Sequence, residues 1–155
     1  MKVRACAEDD LAAVLAIQLK CPQAAQWRPE DYLHLFRDPL GTMLVAEVED
    51  ASQPRVAGFA AFHRVMDEAE LRNIAVDPSY RRKGMARALL AAGIRALHQA
   101  GARRLFLEVR ASSQPALAFY ASAGFQLQYT RHDYYHDPAD DAQVLACDIT
   151  PFAER

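Results

Sequence analysis

The spacing of hydrophobic and polar residues divides the chain into strands and helices. Apolar side chains recur at helical spacing from Leu11 to Leu19, directly after three acidic residues of the kind that favour a helix amino terminus. Residues 43–48 and 55–65 instead alternate between apolar and polar positions, and the polar segment between them indicates a hairpin. The predicted strands are 3–7, 43–48, 55–65, 70–76, 104–110, 125–131 and 142–149. The predicted helices are 11–20, 29–37, 84–99 and one that Ser112 or Ser113 caps and that runs to Gly124.

The order of these elements predicts a mixed α/β sheet of about seven strands covered by about four helices. Strand 70–76, helix 84–99 and strand 104–110 lie within about 40 residues, so we expect a βαβ unit with two parallel strands. Gly58 interrupts the second strand of the hairpin and indicates a bulge or the close approach of another element. Sheets of this class bind ligands at the carboxyl ends of parallel strands, next to a helix amino terminus.

The composition is that of one globular domain. The chain has 155 residues, of which 52% are hydrophobic and 25% charged, and no repeat or Gly/Ser-rich linker divides it. We therefore predict a single domain over residues 1–155. The 18 Lys and Arg residues against 20 Asp and Glu residues give a formal net charge of -2. This balance argues against a general nucleic-acid-binding protein, which would carry a basic excess.

The cysteines and the amino terminus bear on the cellular compartment. Cys6, Cys21 and Cys147 form an odd set without a Cys-x-x-Cys pair or histidines at zinc-ligand spacing. This pattern indicates reduced thiols rather than a disulfide framework or a metal site. The first residues are acidic where a secretory signal would be apolar, and no run approaches about 18 apolar residues. We expect a cytoplasmic protein without a membrane segment.

A basic turn follows strand 70–76 and opens the next helix. It carries Arg81, Arg82 and Lys83 before Gly84. Free backbone N–H groups at a helix start, a glycine that lets a ligand approach the backbone, and nearby cations together suit a phosphate-like anion. The alternative is an ordinary helix start preceded by a solvated basic turn.

Several segments resemble those of a known family. Arg81-x-x-Gly84-x-Ala86 resembles the acetyl-coenzyme A pyrophosphate loop of the GNAT superfamily of N-acetyltransferases, usually Q/R-x-x-G-x-G/A. The segments NIAVDP (73–78), LEVRAS (107–112), AFYASAGF (118–125) and RHDYY (131–135) are similar to those of the bacterial ribosomal-protein-alanine N-acetyltransferases. The resemblance runs from about Asp67 to Asp148, over half of the chain, whereas the first 60 residues are only generally similar.

The resemblance implies a sheet that splits between two parallel strands, here 70–76 and 104–110, to admit the pantetheine arm of acetyl-coenzyme A as co-substrate. It implies that the backbone of Ile74, Ala75 and Val76 pairs with the pantetheine amides. The residues that it assigns to the pyrophosphate are Arg81, Arg82, Lys83, Gly84, Met85 and Ala86. Ser113 stands where the most similar members usually have an asparagine that contacts the cofactor, so one hydrogen bond to coenzyme A is expected to change. No metal is implied.

The family's reaction is direct attack of a free amine on the acetyl thioester, which requires a base and an acid but no cysteine nucleophile. The resemblance assigns the base to Glu108, which interrupts an apolar strand, and the acid that protonates the departing thiolate to Tyr120. The alternatives are an exposed Glu108 paired with Arg110 and a Tyr120 that only packs in the core. Glu70, on the facing strand, is the alternative base or else a surface acid at a strand end.

The favoured interpretation is an N-acetyltransferase that moves an acetyl group from acetyl-coenzyme A to a primary amine, such as the amino terminus of a ribosomal protein beginning with alanine. The alternatives are an acetyltransferase for a small-molecule amine and a non-catalytic acyl-coenzyme A-binding module. We expect an amine acceptor as partner, neither nucleic acid nor membrane, and the sequence leaves the oligomeric state open. Tyr134 and Tyr135 resemble tyrosines of the family's acceptor side, and His63, His132 and His136 are interpreted as surface or hydrogen-bonding residues.

Overall fold

The computed structural model describes residues 1–150 of the chain. Its strands are β1 (Lys2–Ala5), β2 (Gly41–Asp50), β3 (Gln53–Val65), β4 (Glu68–Val76), β5 (Arg104–Arg110), β6 (Gln126–His136) and β7 (Ala139–Asp148). Its α-helices are α1 (Leu11–Leu19), α2 (Pro29–Arg37), α3 (Met85–Gln99) and α4 (Gln114–Ser122), with short 3-10 turns at Glu8–Asp10 and Pro78–Tyr80 before α1 and α3. No helix among the described residues is long and apolar enough to cross a bilayer.

The seven strands form one sheet in the order β1-β2-β3-β4-β5-β7-β6. β4 and β5 are parallel and α3 connects them, whereas the other neighbouring pairs are antiparallel. Parallel neighbours need a crossover of this kind, because a tight hairpin turn returns the chain antiparallel. The mixed α/β sheet and the βαβ unit that the sequence predicted are therefore confirmed.

The sheet opens between β4 and β5. The parallel pairing covers only Glu68 with Arg104, Ala69 with Leu105, and Glu70 with Phe106. Beyond these positions β4 remains paired with β3 as far as Val76, and β5 remains paired with β7 as far as Arg110. The two strands therefore separate toward their carboxyl ends, and the split that the family resemblance implied is confirmed.

Separate hydrophobic cores lie on the two faces of the sheet. Side chains of α3 and α4, including Leu89 and Tyr120, pack on one face, which we call the α3/α4 face. Side chains of α1 and α2, including Val14 and Tyr32, pack on the other, the α1/α2 face. Because side chains alternate along a strand, each position of β4 and β5 can be assigned to one face.

Gly58 marks a close approach between β3 and α3, as the sequence indicated. The pairing of β2 with β3 shifts beside it, between Ala46 and Glu47. A Cβ atom at Gly58 would lie 2.9 Å from Met85 Sδ and 3.2 Å from Leu89 Cδ1. The missing side chain therefore lets the first turns of α3 pack directly on the sheet, and this contact fixes the amino terminus of the helix beside the end of β4.

The β2–β3 hairpin is longer than predicted. Its strands continue to Asp50 and Gln53, because Ala51 and Ser52 form a two-residue turn with φ angles of 51° and 67°. Turns of this kind match the twist of a hairpin, but they usually carry Asn, Asp or Gly. The polar composition of residues 49–54 therefore indicated a longer loop than the chain forms.

The last hairpin also extends beyond its predicted strands, since β6 continues to His136. Its pairing with β7 shifts after Arg131, and Asp133 adopts a φ of 54° in the resulting bulge. The carboxylate of Asp141 accepts the Asp133 N–H at 2.9 Å and holds this bulge. Bulges redirect side chains, and here the ring of Tyr134 comes to lie against the Arg131 guanidinium.

A buried polar network ties the connection between α1 and α2 to β4. The Asn73 amide donates to the Ala25 carbonyl at 2.9 Å and to the Tyr32 hydroxyl at 2.8 Å, and its oxygen accepts the Ala25 N–H at 3.1 Å. The Tyr32 hydroxyl donates to Gln18, whose amide donates to the Trp27 carbonyl at 2.8 Å. Buried amides are stable only when they are hydrogen-bonded, so this network fixes the α1–α2 connection over β4.

Candidate active site

The start of α3 presents a row of free backbone donors. Its first hydrogen bond to the preceding turn runs from the Ala88 N–H to the Gly84 carbonyl at 3.0 Å, and within residues 1–150 no N–H from Arg82 to Arg87 donates to a backbone carbonyl. Gly84 has a φ of 77°, and a Cβ atom built on it meets nothing within 4 Å. Free N–H groups, the positive end of the helix dipole and open space together form a site for an anion.

Asp77 fixes this loop to the end of β4. Its own N–H donates to the Ala57 carbonyl at 2.7 Å, and its carboxylate accepts the Ser79 N–H at 2.9 Å and the Lys20 ammonium at 3.1 Å. Burial raises the pKa of Asp77, but the bonds from Ser79 and Lys20 outweigh it and hold the pKa below its usual value. The side chain is therefore a charged, buried anchor beside the helix start.

The β3–β4 register determines which backbone groups of β4 face the split. Asp77 and Ala57 form a hydrogen-bonded pair, and such pairs alternate along an antiparallel ladder. Ala75 is therefore bonded to β3, whereas the N–H and carbonyl groups of Ile74 and Val76 point toward the split. The Val76 carbonyl accepts a long bond of 3.4 Å from Arg81 Nε, which brings the Arg81 side chain back to the strand end.

A cavity of about 310 Å³ lies where β4 and β5 separate. Leu105, Leu107 and Val109 of β5 pack on the α3/α4 face, so Glu108 points to the α1/α2 face. The side chains around the cavity that matter for chemistry are His63, Glu70, Arg72, Glu108, Tyr129 and Arg131. Both carboxylates that the sequence proposed as bases therefore line one cavity at the opening of the sheet.

Glu108 is accessible from this cavity and is paired with Arg131. Its side chain is 25% exposed, and Oε1 lies 3.1 Å from Arg131 Nε. The Arg131 guanidinium lies 5.6 Å from the ring centroids of both Tyr129 and Tyr134. Interaction with the Glu108 carboxylate raises the pKa of Tyr134, which places that phenol beside the same carboxylate.

The expected alternative pairing of Glu108 with Arg110 is wrong. Glu108 and Arg110 are two positions apart, and such residues share one face of a strand. The Arg110 guanidinium nevertheless donates to the Pro138 carbonyl at 2.8 Å and lies 4.2 Å from the Tyr135 ring centroid. Arg110 therefore binds the turn of the β6–β7 hairpin, and Glu108 pairs instead with Arg131, which is more distant in the sequence.

Glu70 lies across the opening from Glu108. It is opposite Phe106 in the last paired position of β4 and β5, and Oε2 lies 3.8 Å from Arg72 Nε. Its side chain is 49% exposed, about twice as much as that of Glu108. Glu70 is thus more solvated and less firmly held than the carboxylate that the family resemblance favours as base.

Tyr120 lies on the opposite face of the sheet from Glu108. It is buried in the α3/α4 core, and its ring centroid is 5.1 Å from that of Phe119 and 5.6 Å from that of Phe125. Burial raises the pKa of Tyr120, so the phenol keeps its proton well above neutral pH. Arg87 connects this helix to the start of α3 by donating to the Ser122 hydroxyl at 2.8 Å.

Of the two serines that could cap α4, Ser113 is the one in the cap position. Its carbonyl accepts the Leu117 N–H at 3.0 Å, and its hydroxyl makes no capping hydrogen bond. Ser112 instead donates to the Asp140 carboxylate at 2.6 Å. The assignment of Ser113 toward coenzyme A stays a prediction.

The three cysteines are buried and unbridged. Burial raises the pKa of Cys6 and of Cys147 to about 11, so both are thiols at neutral pH. Cys21 Sγ lies 3.4 Å from the Val76 carbonyl. None of the three lines the cavity at the sheet opening, which is consistent with a reaction that uses no cysteine nucleophile.

His63 is hydrogen-bonded, as one of its two interpretations from the sequence held, but its place in this cavity was not predicted. It was interpreted as a surface or hydrogen-bonding residue, but it lines the same cavity as Glu70 and Glu108, and its side chain is only 17% exposed. Its Nε2 lies 3.1 Å from Asp38 Oδ2. The alternation of β3 assigns His63 to a face of the strand, but nothing in the sequence indicated that the turn after α2 would supply a carboxylate.

The chain belongs to the acetyltransferase (GNAT) family, whose family model matches residues 11–125. The superfamily that the sequence predicted is thereby confirmed.

Individual relatives of the chain carry a more specific name. A ribosomal protein bS18-alanine N-acetyltransferase from Escherichia coli is 46% identical over 98 residues, which are 62% of this chain and 66%, just under two thirds, of that protein. The enzyme of the same name from Salmonella typhimurium is 44% identical over 134 residues, covering 81% of this chain and 90% of that protein. The crystal structure of the E. coli ribosomal-protein-S18-alanine N-acetyltransferase superposes with a TM-score of 0.80 at 34% identity, covering 96% of this chain and 93% of that one.

Proposed function

We propose that this protein transfers the acetyl group of acetyl-coenzyme A to the α-amine at the amino terminus of a protein, with a ribosomal protein beginning with alanine as the first candidate acceptor. The observation that carries the proposal is the juxtaposition of an anion-binding helix start with a carboxylate-lined cavity at the opening of the sheet. The names of the relatives support the α-amine acceptor. We also propose a cytoplasmic location, because these names place the acceptor in the ribosome.

In this proposal the free N–H groups from Arg82 to Arg87 hold the pyrophosphate of the co-substrate, and the backbone groups of Ile74 and Val76 pair with its pantetheine amides. Bound acetyl-coenzyme A supplies the activated acetyl thioester. Glu108 removes a proton from the acceptor ammonium, and the resulting amine attacks the thioester carbonyl. The C–N bond forms, the C–S bond breaks, and the Tyr120 phenol protonates the departing thiolate. The attacking nitrogen loses its second proton as the amide forms, and this proton restores the Tyr120 phenol.

The position of Gly84 gives a direct test of the pyrophosphate assignment. Gly84→Val is expected to weaken acetyl-coenzyme A binding by at least about tenfold, because a branched side chain would fill the open space in front of the N–H groups. The measurement is isothermal titration calorimetry on the folded variant.

Gly101→Val is the matched control for this measurement. Gly101 also has a positive φ, 106°, and open space around its Cβ position, but it lies at the other end of α3. Both variants place a β-branched side chain at a positive φ, so a loss of affinity caused by backbone strain alone would be expected in both. Equal cofactor affinity in the two variants would contradict the assignment of the loop to the pyrophosphate.

The acceptor class follows from amine basicity. A peptide α-amine has a pKa of about 7.7–8.0, against about 10.4 for lysine, so a carboxylate base has less work to free the α-amine at neutral pH. An alanine-initiated ribosomal-protein peptide is therefore expected to be acetylated faster than lysine peptides or polyamines in a panel at equal concentration. Mass spectrometry of the product locates the acetyl group.

A matched pair of peptides makes this panel decisive. The control is the same alanine-initiated peptide with a blocked amino terminus and its lysines intact. Faster acetylation of the blocked peptide, or of a polyamine, would favour the alternative acceptors. Binding of acetyl-coenzyme A without turnover of any amine would favour the non-catalytic module.

A further inference from the structure

A second cavity adjoins, on the α1/α2 face, the cavity at the opening of the sheet, which we call the catalytic cavity. It measures about 560 Å³, and its lining includes Trp27, Asp31, His34 and Asp38. His63 and Arg72 line both cavities. These two side chains therefore stand at the passage between the catalytic cavity and a second, open route to solvent.

The hydrogen bond of His63 determines which ring nitrogen is free. A carboxylate only accepts, so Nε2 must carry the proton that it donates to Asp38, and Nδ1 is left as an acceptor. Asp38 is itself held in place by the Leu40 N–H at 2.8 Å. The bonds from Leu40 and His63 lower the pKa of Asp38, so it is a carboxylate at neutral pH.

Two of the acidic residues that line the catalytic cavity have partners of the opposite charge. Glu108 is paired with Arg131 at 3.1 Å, and Glu70 lies 3.8 Å from Arg72. The ion pair of His63 within residues 1–150 is instead with a carboxylate. A proton that arrives at Glu108 meets the positive charge of Arg131, whereas a proton that arrives at His63 is stabilised by Asp38.

We propose that His63 is a proton-relay residue, which carries the proton released by the acceptor amine out of the catalytic cavity. The inference rests on the proposed function. The acceptor ammonium loses one proton to Glu108, the proton passes through water in the cavity to Nδ1 of His63, and the imidazolium formed beside Asp38 releases it to the second cavity. No electron is transferred, and each group returns to its starting protonation state after one turnover.

The charged and titratable groups that face His63 come from several elements. Glu68, Glu70 and Arg72 belong to β4, Asp31 and His34 to α2, Asp38 to the turn after α2, Glu108 to β5 and Arg131 to β6. Asp38 is the one in hydrogen-bond contact with the ring. The relay is therefore expected to act through the His63–Asp38 pair within this set.

His63→Gln tests the relay without removing the donor to Asp38. Its kcat is expected to fall at least about tenfold at neutral pH, less than the 10²–10⁴-fold typical of a direct acid or base, with little change in KM. Adding the change to Glu108→Gln is expected to cost little more than Glu108→Gln alone, because the two residues act on one proton. Near wild-type kcat from pH 6 to 9, or effects that multiply fully in the double variant, would overturn the proposal.

Chemical rescue distinguishes a relay from a packing role. His63→Ala removes the ring, and free imidazole is expected to restore its kcat in proportion to the unprotonated imidazole present. Sodium chloride at the same ionic strength is the control and should restore nothing. Rescue that follows total rather than unprotonated imidazole would show that the ring only fills space, and would refute the relay.

Nitrogen-15 NMR of the imidazole tests the relay independently of turnover. The spectrum of the whole chain is expected to show the Nε2-protonated tautomer of His63, and Asp38→Asn to alter that signal while leaving those of His98 and His136 unchanged. A His63 protonated at Nδ1 at neutral pH would overturn the relay even if the enzyme acetylates α-amines. Failure of every acceptor amine with the expected tautomer present would instead contradict the proposed function.

Discussion

Glu108→Gln is expected to lower kcat by about 10²–10⁴-fold while leaving acetyl-coenzyme A affinity nearly unchanged. The glutamine has the same size and keeps an oxygen that can accept from Arg131, so the change removes the basic oxygen rather than the ion-pair geometry. The backbone N–H groups assigned to the cofactor belong to the start of α3, whereas Glu108 belongs to β5 and is not among them, which is why binding should survive. Steady-state kinetics and calorimetry on the same preparation measure the two quantities.

The pH dependence of the rate of Glu108→Gln shows whether Glu108 acts as a base. An α-amine with a pKa of about 7.7–8.0 is mostly neutral at about pH 9, so it no longer needs a base there. The deficit of the variant relative to wild type should therefore shrink as the pH rises from about 7 to 9. A constant deficit over this range would show that Glu108 positions the acceptor instead of removing its proton.

Glu70→Gln is the necessary companion, because both carboxylates line one cavity. The greater exposure of Glu70 and its looser contact with Arg72 predict the smaller loss, within about tenfold of wild type. If Glu70→Gln abolishes turnover and Glu108→Gln retains it, the base is Glu70, and the assignment taken from the ribosomal-protein branch is wrong at its most important residue.

The elements with the clearest periodicity were predicted best. The apolar face of α3 and the alternation of β5 appear in the structure with nearly the predicted bounds, because each buries one regular set of side chains. The ends of the β2–β3 and β6–β7 hairpins were missed because backbone conformation decides them. Ala51, Ser52 and Asp133 all have positive φ angles that their residue types do not indicate.

Pairs of distant side chains mark the limit of sequence reasoning at the site. Glu108 and Glu70 could be proposed because the family resemblance implies a catalytic carboxylate at these positions, but their partners depend on the tertiary fold. Arg131 reaches Glu108 through the neighbouring β7 and a bulge in β6, and Asp38 reaches His63 from the turn after α2. The spacing of apolar residues cannot predict such contacts, because they depend on the order of the strands and the placement of the helices.

Tyr120→Phe is expected to lower kcat by about 10²–10⁴-fold and to leave the fold intact. The phenylalanine keeps the aromatic packing against Phe119 and Phe125, and it removes only the hydroxyl. Thermal unfolding of the variant close to that of wild type would show that the loss of rate is chemical.

Raising the pH separates the acid from the base. High pH neutralises the acceptor amine, but it supplies no proton for the departing thiolate, so Tyr120→Phe should not recover where Glu108→Gln does. Burial raises the pKa of Tyr120 above the usual value of about 10 for tyrosine, and the protonated phenol is the active form of an acid. Wild-type activity should therefore not decline below about pH 9.5 through loss of this proton. Near wild-type kcat in Tyr120→Phe, or a recovery with pH that parallels Glu108→Gln, would leave Tyr120 as a packing residue and require another source for the proton.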